Sequence, residues 1–197
     1  MRAAPLVLLV PLLAACSTPG PAPAPAPSAA ATPPADDAPL PDPLPSIVAR
    51  LDGEPIYLSQ IVPLARAKLN KAQDQDAEKP VLMRQALREF IDRELLLKEA
   101  LVRGAQADTR TVQLLYDAAR ADFPDEEKWK EHLYKKGLDP QTFKAELRAQ
   151  QTIDVFLANE AGVQVSVDLQ DAVARRAEMA RLILERLRAK SRIETYL

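Results

Sequence analysis

Cysteine, histidine and tryptophan each occur once in this 197-residue chain, and glycine only five times. The single cysteine, Cys16, cannot close an internal disulfide, so any folded domain must stand on its apolar core. With one histidine, His132, and one cysteine there is no His/Cys set of zinc-ligand spacing. No HExxH motif, glycine-rich phosphate loop or nucleophile elbow occurs either. Charge of one sign is also missing: 26 basic residues face 28 acidic ones. Nucleic acid and anionic lipid are therefore not expected as main partners, and no cofactor is expected. The longest apolar run, Ala3 to Leu13, falls short of the roughly 20 residues a membrane span needs, and Pro5 and Pro11 interrupt it. No internal repeat is visible.

What that run does carry is an address. Arg2 forms a minimal positive n-region, and Ala3 to Leu13 has the length of a signal-peptide apolar core. It ends in Leu13-Ala14-Ala15-Cys16, which resembles a bacterial lipobox, the site of diacylglycerol attachment and cleavage. On this reading residues 1–15 are removed and the mature chain starts with lipidated Cys16. An ordinary secretory signal with an incidental cysteine, or a short buried helix, is the plainer alternative. Ser17 stands where inner-membrane lipoproteins often carry Asp, so the resemblance implies the periplasmic face of the outer membrane.

Residues 17–45 change character. Prolines recur through Pro19, Pro21, Pro23, Pro25 and Pro27, then Pro33-Pro34, then Pro39, Pro41, Pro43 and Pro45. Such composition packs no core and favours extended polyproline II segments, reaching roughly 90 Å at about 3.1 Å per residue. Residues 16–45 are expected to be a disordered tether rather than an SH3-type ligand, because no basic residue flanks a PxxP motif.

Residues 46–197 have the length of one ordinary domain, and Ala, Leu, Glu, Arg and Lys dominate them, a helical composition. The expected fold is mainly α, with about six helices and a small β-sheet formed by an N-terminal hairpin and a C-terminal strand. Ile47 to Leu51 alternates, Asp52-Gly53 supplies a turn, and Pro55 to Leu58 runs on, a hairpin signal. Ser59 is the expected cap of a first helix carrying Ile61, Leu64, Ala65 and Leu69. Pro80 and Gly104 bracket a second, with Met83, Leu87, Phe90, Ile91, Leu95, Leu97 and Leu101 as its apolar stripe and Arg84, Arg88, Glu89, Asp92, Arg93 and Lys98 opposite. Asp108 or Thr109 caps a third helix, Asp125 a fourth ending at Gly137, and Asp139-Pro140 a fifth. Ser166 is expected to cap a sixth, reaching about Lys190, and Ile193 to Leu197 reads as a strand that completes the sheet begun at residue 47.

In this order the blocks resemble SurA-type periplasmic chaperones. Ile47-Val48-Ala49-Arg50-Leu51-Asp52-Gly53 is similar to that family's opening, and Leu87 to Ala100 followed by Gly104 to its next helix. Phe123 to Trp129, Gly137 to Phe143, Leu147 to Gln151 and Val163-Gln164-Val165-Ser166 then follow in the family's order. The resemblance covers residues 47–170. It implies a helical cradle that holds unfolded polypeptide. Members usually insert a parvulin prolyl isomerase after the Val-x-Val-Ser segment. Here 31 residues follow Ser166, fewer than the roughly 50 of a small domain, and they look like the family's returning helix, Arg181 to Arg188, and its closing strand. Parvulin catalysis is associated with paired histidines, and this chain has one, so the isomerase is expected to be absent.

Other chemistry finds little support. His132 reads as a structural histidine, and Asp74, Asp76 and Glu78 as a polar interhelical loop without the glycine and closing glutamate of a calcium site. The expectation is a non-enzymatic, lipid-anchored chaperone for unfolded exported or outer-membrane polypeptides. Tyr116, Phe123, Trp129, Tyr134 and Phe143 are its candidate peptide-binding residues, although any of them could simply pack a core. Trp129 and Tyr134 stand out because their helix is short and highly charged. An adaptor lipoprotein binding one folded envelope partner, and an isomerase with an atypical site, are the alternatives.

Overall fold

A computed structural model describes residues 39–69, 75–162 and 169–197. The signal segment, Cys16, the tether up to residue 38, Asp74 and the Val163–Ser166 block lie outside the described residues.

Two strands open the fold, β1 (Ile47–Leu51) and β2 (Glu54–Tyr57), and Asp52 and Gly53 turn the chain between them. Both turn residues have positive φ, 53° and 88°, the geometry of a type I′ hairpin whose twist matches its strands. Arg50 Nη1 donates to the Gly53 carbonyl at 3.0 Å. β3 (Ile193–Thr195) pairs antiparallel on the other side of β1, giving the order β2-β1-β3. The turn is also clamped to the returning chain: Asp52 N–H donates to the Arg192 carbonyl and Arg192 N–H to Asp52 Oδ1, each at 2.8 Å. The first and last segments of the domain thus share one sheet, as expected.

Six helices lie between β2 and β3 among the described residues: α1 (Leu58–Leu69), α2 (Gln75–Val102), α3 (Thr109–Ala121), α4 (Glu126–Lys135), α5 (Pro140–Glu160) and α6 (Leu169–Lys190). Three caps stand where expected. Asp108, Asp125 and Asp139 each accept a backbone N–H in the first turn of their helix. Gly104 and Gly137, both at φ +74°, close α2 and α4. In each case the glycine N–H and the next N–H reach back to two orphan carbonyls of the helix end, a Schellman motif.

Two helix starts differ from expectation. Ser59 lies inside α1, and the cap is made instead by Gln60, whose Oε1 accepts the Tyr57 N–H at 2.8 Å. That is one half of a capping box, in which the side chain of the third helical residue serves the residue before the helix. α2 begins at Gln75 rather than Pro80, so Asp76 and Glu78 are helical rather than a loop. Good helix formers precede the proline, and acidic groups suit a helix N-terminus.

Two apolar clusters organise the helices. The first joins the sheet, α1 and the N-terminal part of α2 through Val48, Leu51, Ile56, Ile61, Met83, Leu87, Ile91, Leu95 and Leu197. The second joins the C-terminal part of α2 to α5 and α6 through Leu96, Ala100, Ile153, Phe156, Leu157 and Ile183. Leu101, expected on the stripe, is 57% exposed at the helix end. The charged face of α2 bonds outward to other elements: Glu89 to Lys68, Arg93 to Glu146, Lys98 to Glu54 and Asp92 to Arg188.

The tether boundary also moves. Leu40 and Leu44 pack against the first cluster, and Arg84, expected on the solvated face, is buried and donates from Nη2 to the Pro39 carbonyl at 3.3 Å. These are two apolar side chains laid on the domain from an otherwise core-poor, non-helical segment. The folded part therefore starts by Pro39, not Ser46.

Candidate functional site

The candidate aromatics converge at one end of the fold, where α3 and α4 lie on α5. α3 buries Val112 and turns Tyr116 inward, α4 buries Trp129 and Leu133, and α5 supplies Phe143 from its first turn. Phe123 follows α3 and closes the group. The Trp129 ring sits 5.1 Å from Phe123, 5.3 Å from Phe143 and 5.9 Å from Tyr116, the last two edge to face. Its Nε1–H donates to the Tyr116 hydroxyl at 3.1 Å. Lys144 Nζ lies 5.1 Å from the Tyr116 ring centroid, a cation–π contact on the outer side.

Four of the five sequence candidates are therefore one interlocked group. Trp129, one of the two favoured ones, is 2% exposed, so its ring is spent on packing and is not open to an incoming chain. A charged helix sequence suggested a presented aromatic; the ring instead marks the inner side of a strongly amphipathic helix. Tyr134 differs, standing 83% exposed one turn from Lys130 and Glu131. That face is solvated and ion-paired. Hydrogen bonds from Lys135 and Lys128 hold the Glu131 carboxyl down to about 2.

His132 lies against this group, its ring centroid 4.6 Å from Phe123 and stacked 6.1 Å from Trp129. Burial, with help from Lys136 and Lys135, holds its pKa below the ordinary value and keeps it neutral near pH 7. It has aromatic neighbours rather than a partner acid or nucleophile. Among the described residues no group of His, Cys, Asp or Glu could hold a metal ion. None of their helices is long and apolar enough to cross a membrane.

The apolar surface that remains open was not singled out from the sequence. On α3, Leu114 is 60% exposed, and Leu115, Ala118 and Ala121 are exposed beside it. Positions 114, 118 and 121 lie on one flank of the helix, away from the inward side of Val112 and Tyr116. Arg110 and Asp117 border this flank one turn on either side of Leu114, and Gln113 beyond them donates to Asp117 at 2.8 Å. Val173 and Leu182 on α6 are also about half exposed. The strong amphipathicity of α3 was the available signal, but only its polar-to-apolar contrast could be read, not which apolar residues face the core.

Against known proteins, the chain matches no protein-family model and no curated protein by sequence.

Proposed function

We propose that the protein is a lipid-anchored, periplasmic chaperone-like module that holds unfolded exported polypeptides without catalysing a reaction. One observation carries the reading: α3 presents an open apolar flank, Leu114, Leu115, Ala118 and Ala121, while its other side is clamped by the Tyr116–Trp129 assembly. An apolar strip that cannot fold back onto its own domain suits weak contact with passing apolar segments. Such contact is reversible, because a few exposed side chains bury little area. The ordered blocks that resemble SurA-type chaperones favour the same reading, as does the lipobox-like segment ending at Cys16. Anchoring through Cys16 at the outer membrane would confine holding to clients within reach of the proline-rich segment.

Aggregation of a denatured outer-membrane protein, followed by light scattering with the full chain present, tests this. Suppression that scales with the chain supports holding. No suppression at excess, together with one stoichiometric partner in a pulldown from envelope extract, indicates an adaptor instead. Proline isomerisation above background would overturn the non-catalytic part.

A further inference from the structure

The two edges of the sheet are built differently. β2 forms one edge, and there Pro55 pairs with Arg50, whose backbone groups face β3. The Pro55 nitrogen therefore points outward, where proline blunts an edge by removing a donor. β3 forms the other edge and carries no proline. Tyr196 N–H donates to the Val48 carbonyl at 2.9 Å, and the Arg192 carbonyl accepts from Asp52 at 2.8 Å. Residues 192, 194 and 196 thus bond inward to β1. By strand alternation the N–H and C=O groups of Ile193 and Thr195 face outward, and they take no backbone partner among the described residues.

We infer that the outer edge of β3 takes up an extended stretch of unfolded polypeptide as a fourth, short strand. The inference rests on the holding function proposed above and names the chemistry of its second contact. Two outward residues spaced two apart are the pattern an extended backbone satisfies, whatever its sequence. Side chains set a preference. Glu194 stands on the outer sheet face with Arg50, Arg192 and Tyr196, bonded to Arg192 at 2.7 Å and to the Tyr196 hydroxyl at 2.9 Å. Ile193 packs on the inner side. An incoming strand is favoured with a cation opposite Glu194 and apolar residues on either side of it.

The same carboxylate disfavours a second copy of this chain. Two β3 strands paired antiparallel about their centres would set Glu194 against Glu194, and like charges directly opposite are destabilising. The proline-rich segment of this chain is a poor strand as well. Alternate prolines fix φ near −65°, far from the −140° of antiparallel pairing.

Amide hydrogen exchange at Ile193 and Thr195 in the full chain, with a short capped peptide alternating valine with lysine or threonine, tests the inference. Both amides should exchange more slowly with the peptide, and alternate N-methylation of the peptide should abolish the effect. Thr195→Pro removes one outward donor and no bond to β1, so it should weaken peptide binding about fivefold. The N-methylated peptide gives the same answer on the native chain if that variant fails to fold. Unchanged exchange with peptide overturns the inference, and leaves the holding function standing if aggregation is still suppressed. Slowing that depends on protein concentration alone would assign the edge to a second copy. Slowing in the peptide-free chain that deletion of residues 17–38 relieves would assign it to the proline-rich segment. Either of those two results also overturns the inference. Loss of aggregation suppression with protection intact would instead retire the holding function while keeping the edge site.

Discussion

Trp129 Nε1–H donates to the Tyr116 hydroxyl across 3.1 Å, and the two rings meet edge to face at 82°. This one contact ties the buried side of α4 to the inward side of α3. Trp129→Ala should cost about 3–5 kcal/mol in urea unfolding, the range for emptying a large aromatic site. Tyr116→Phe leaves the indole N–H without its acceptor and should cost about 1–3 kcal/mol. In Trp129→Phe combined with Tyr116→Phe, donor and acceptor vanish together, so the double variant should lose less than the sum of the two single ones.

His132 makes stability depend on pH. Its folded pKa lies below the ordinary 6.5, with burial the first cause and Lys136 and Lys135 behind it. The unfolded chain therefore takes up the proton first, and stability should fall as pH drops below about 6.5 toward the folded value. His132→Gln should flatten that part of a Tm-against-pH curve. Glu131 acts further down. Its carboxyl is held at about 2 against an ordinary 4.5, so its contribution is present above 4.5 and is lost as pH falls toward 2. Glu131→Gln should leave the neutral-to-pH 5 part of the curve unchanged in shape.

Leu40 and Leu44 should matter to folding although they lie in a proline-rich stretch. Each is partly buried on the first apolar cluster, so Leu40→Ala and Leu44→Ala should cost about 1 kcal/mol apiece. A chain beginning at Ser46 should unfold at lower urea than one beginning at Pro39, with a smaller m-value because less surface is buried.

On the proposed holding function, Leu114 and Leu115 should matter to client contact and not to folding. Leu114→Ser with Leu115→Ser should shift stability by no more than about 1 kcal/mol and weaken aggregation suppression severalfold. Tyr134→Ala should weaken it less, because that ring stands alone on a face of ion pairs. Equal loss in both variants would show that exposed area alone, rather than the α3 flank, is what clients meet.

Local chemistry made much of this fold legible. Asp-Gly at the hairpin, three Asp caps and two terminal glycines act within a few residues, so they can be read without a partner. Two starts were not legible. Gln60 outcompeted Ser59 by reaching back to Tyr57, and Pro80 lay within a helix because four of the five helical residues ahead of it favour helix. The aromatic group was half legible. Its residues were all marked, but Trp129 turned inward and Leu114 outward, and charge density could not say which face of α3 or α4 meets α5.

The sequence by itself determined the elements: a hairpin, six helices with three of their caps, a closing strand and the residues from which an apolar cluster could form. Periodicity and turn chemistry suffice for that because they depend on near neighbours in the chain. Only the tertiary structure decided which surfaces are open. The burial of Trp129, the docking of Leu40 and Leu44, the free flank of α3 and the free edge of β3 all depend on segments far apart in sequence. Exposure is a property of what packs against a residue, and that is settled when α5 receives α3 and α4 and when β3 returns to β1.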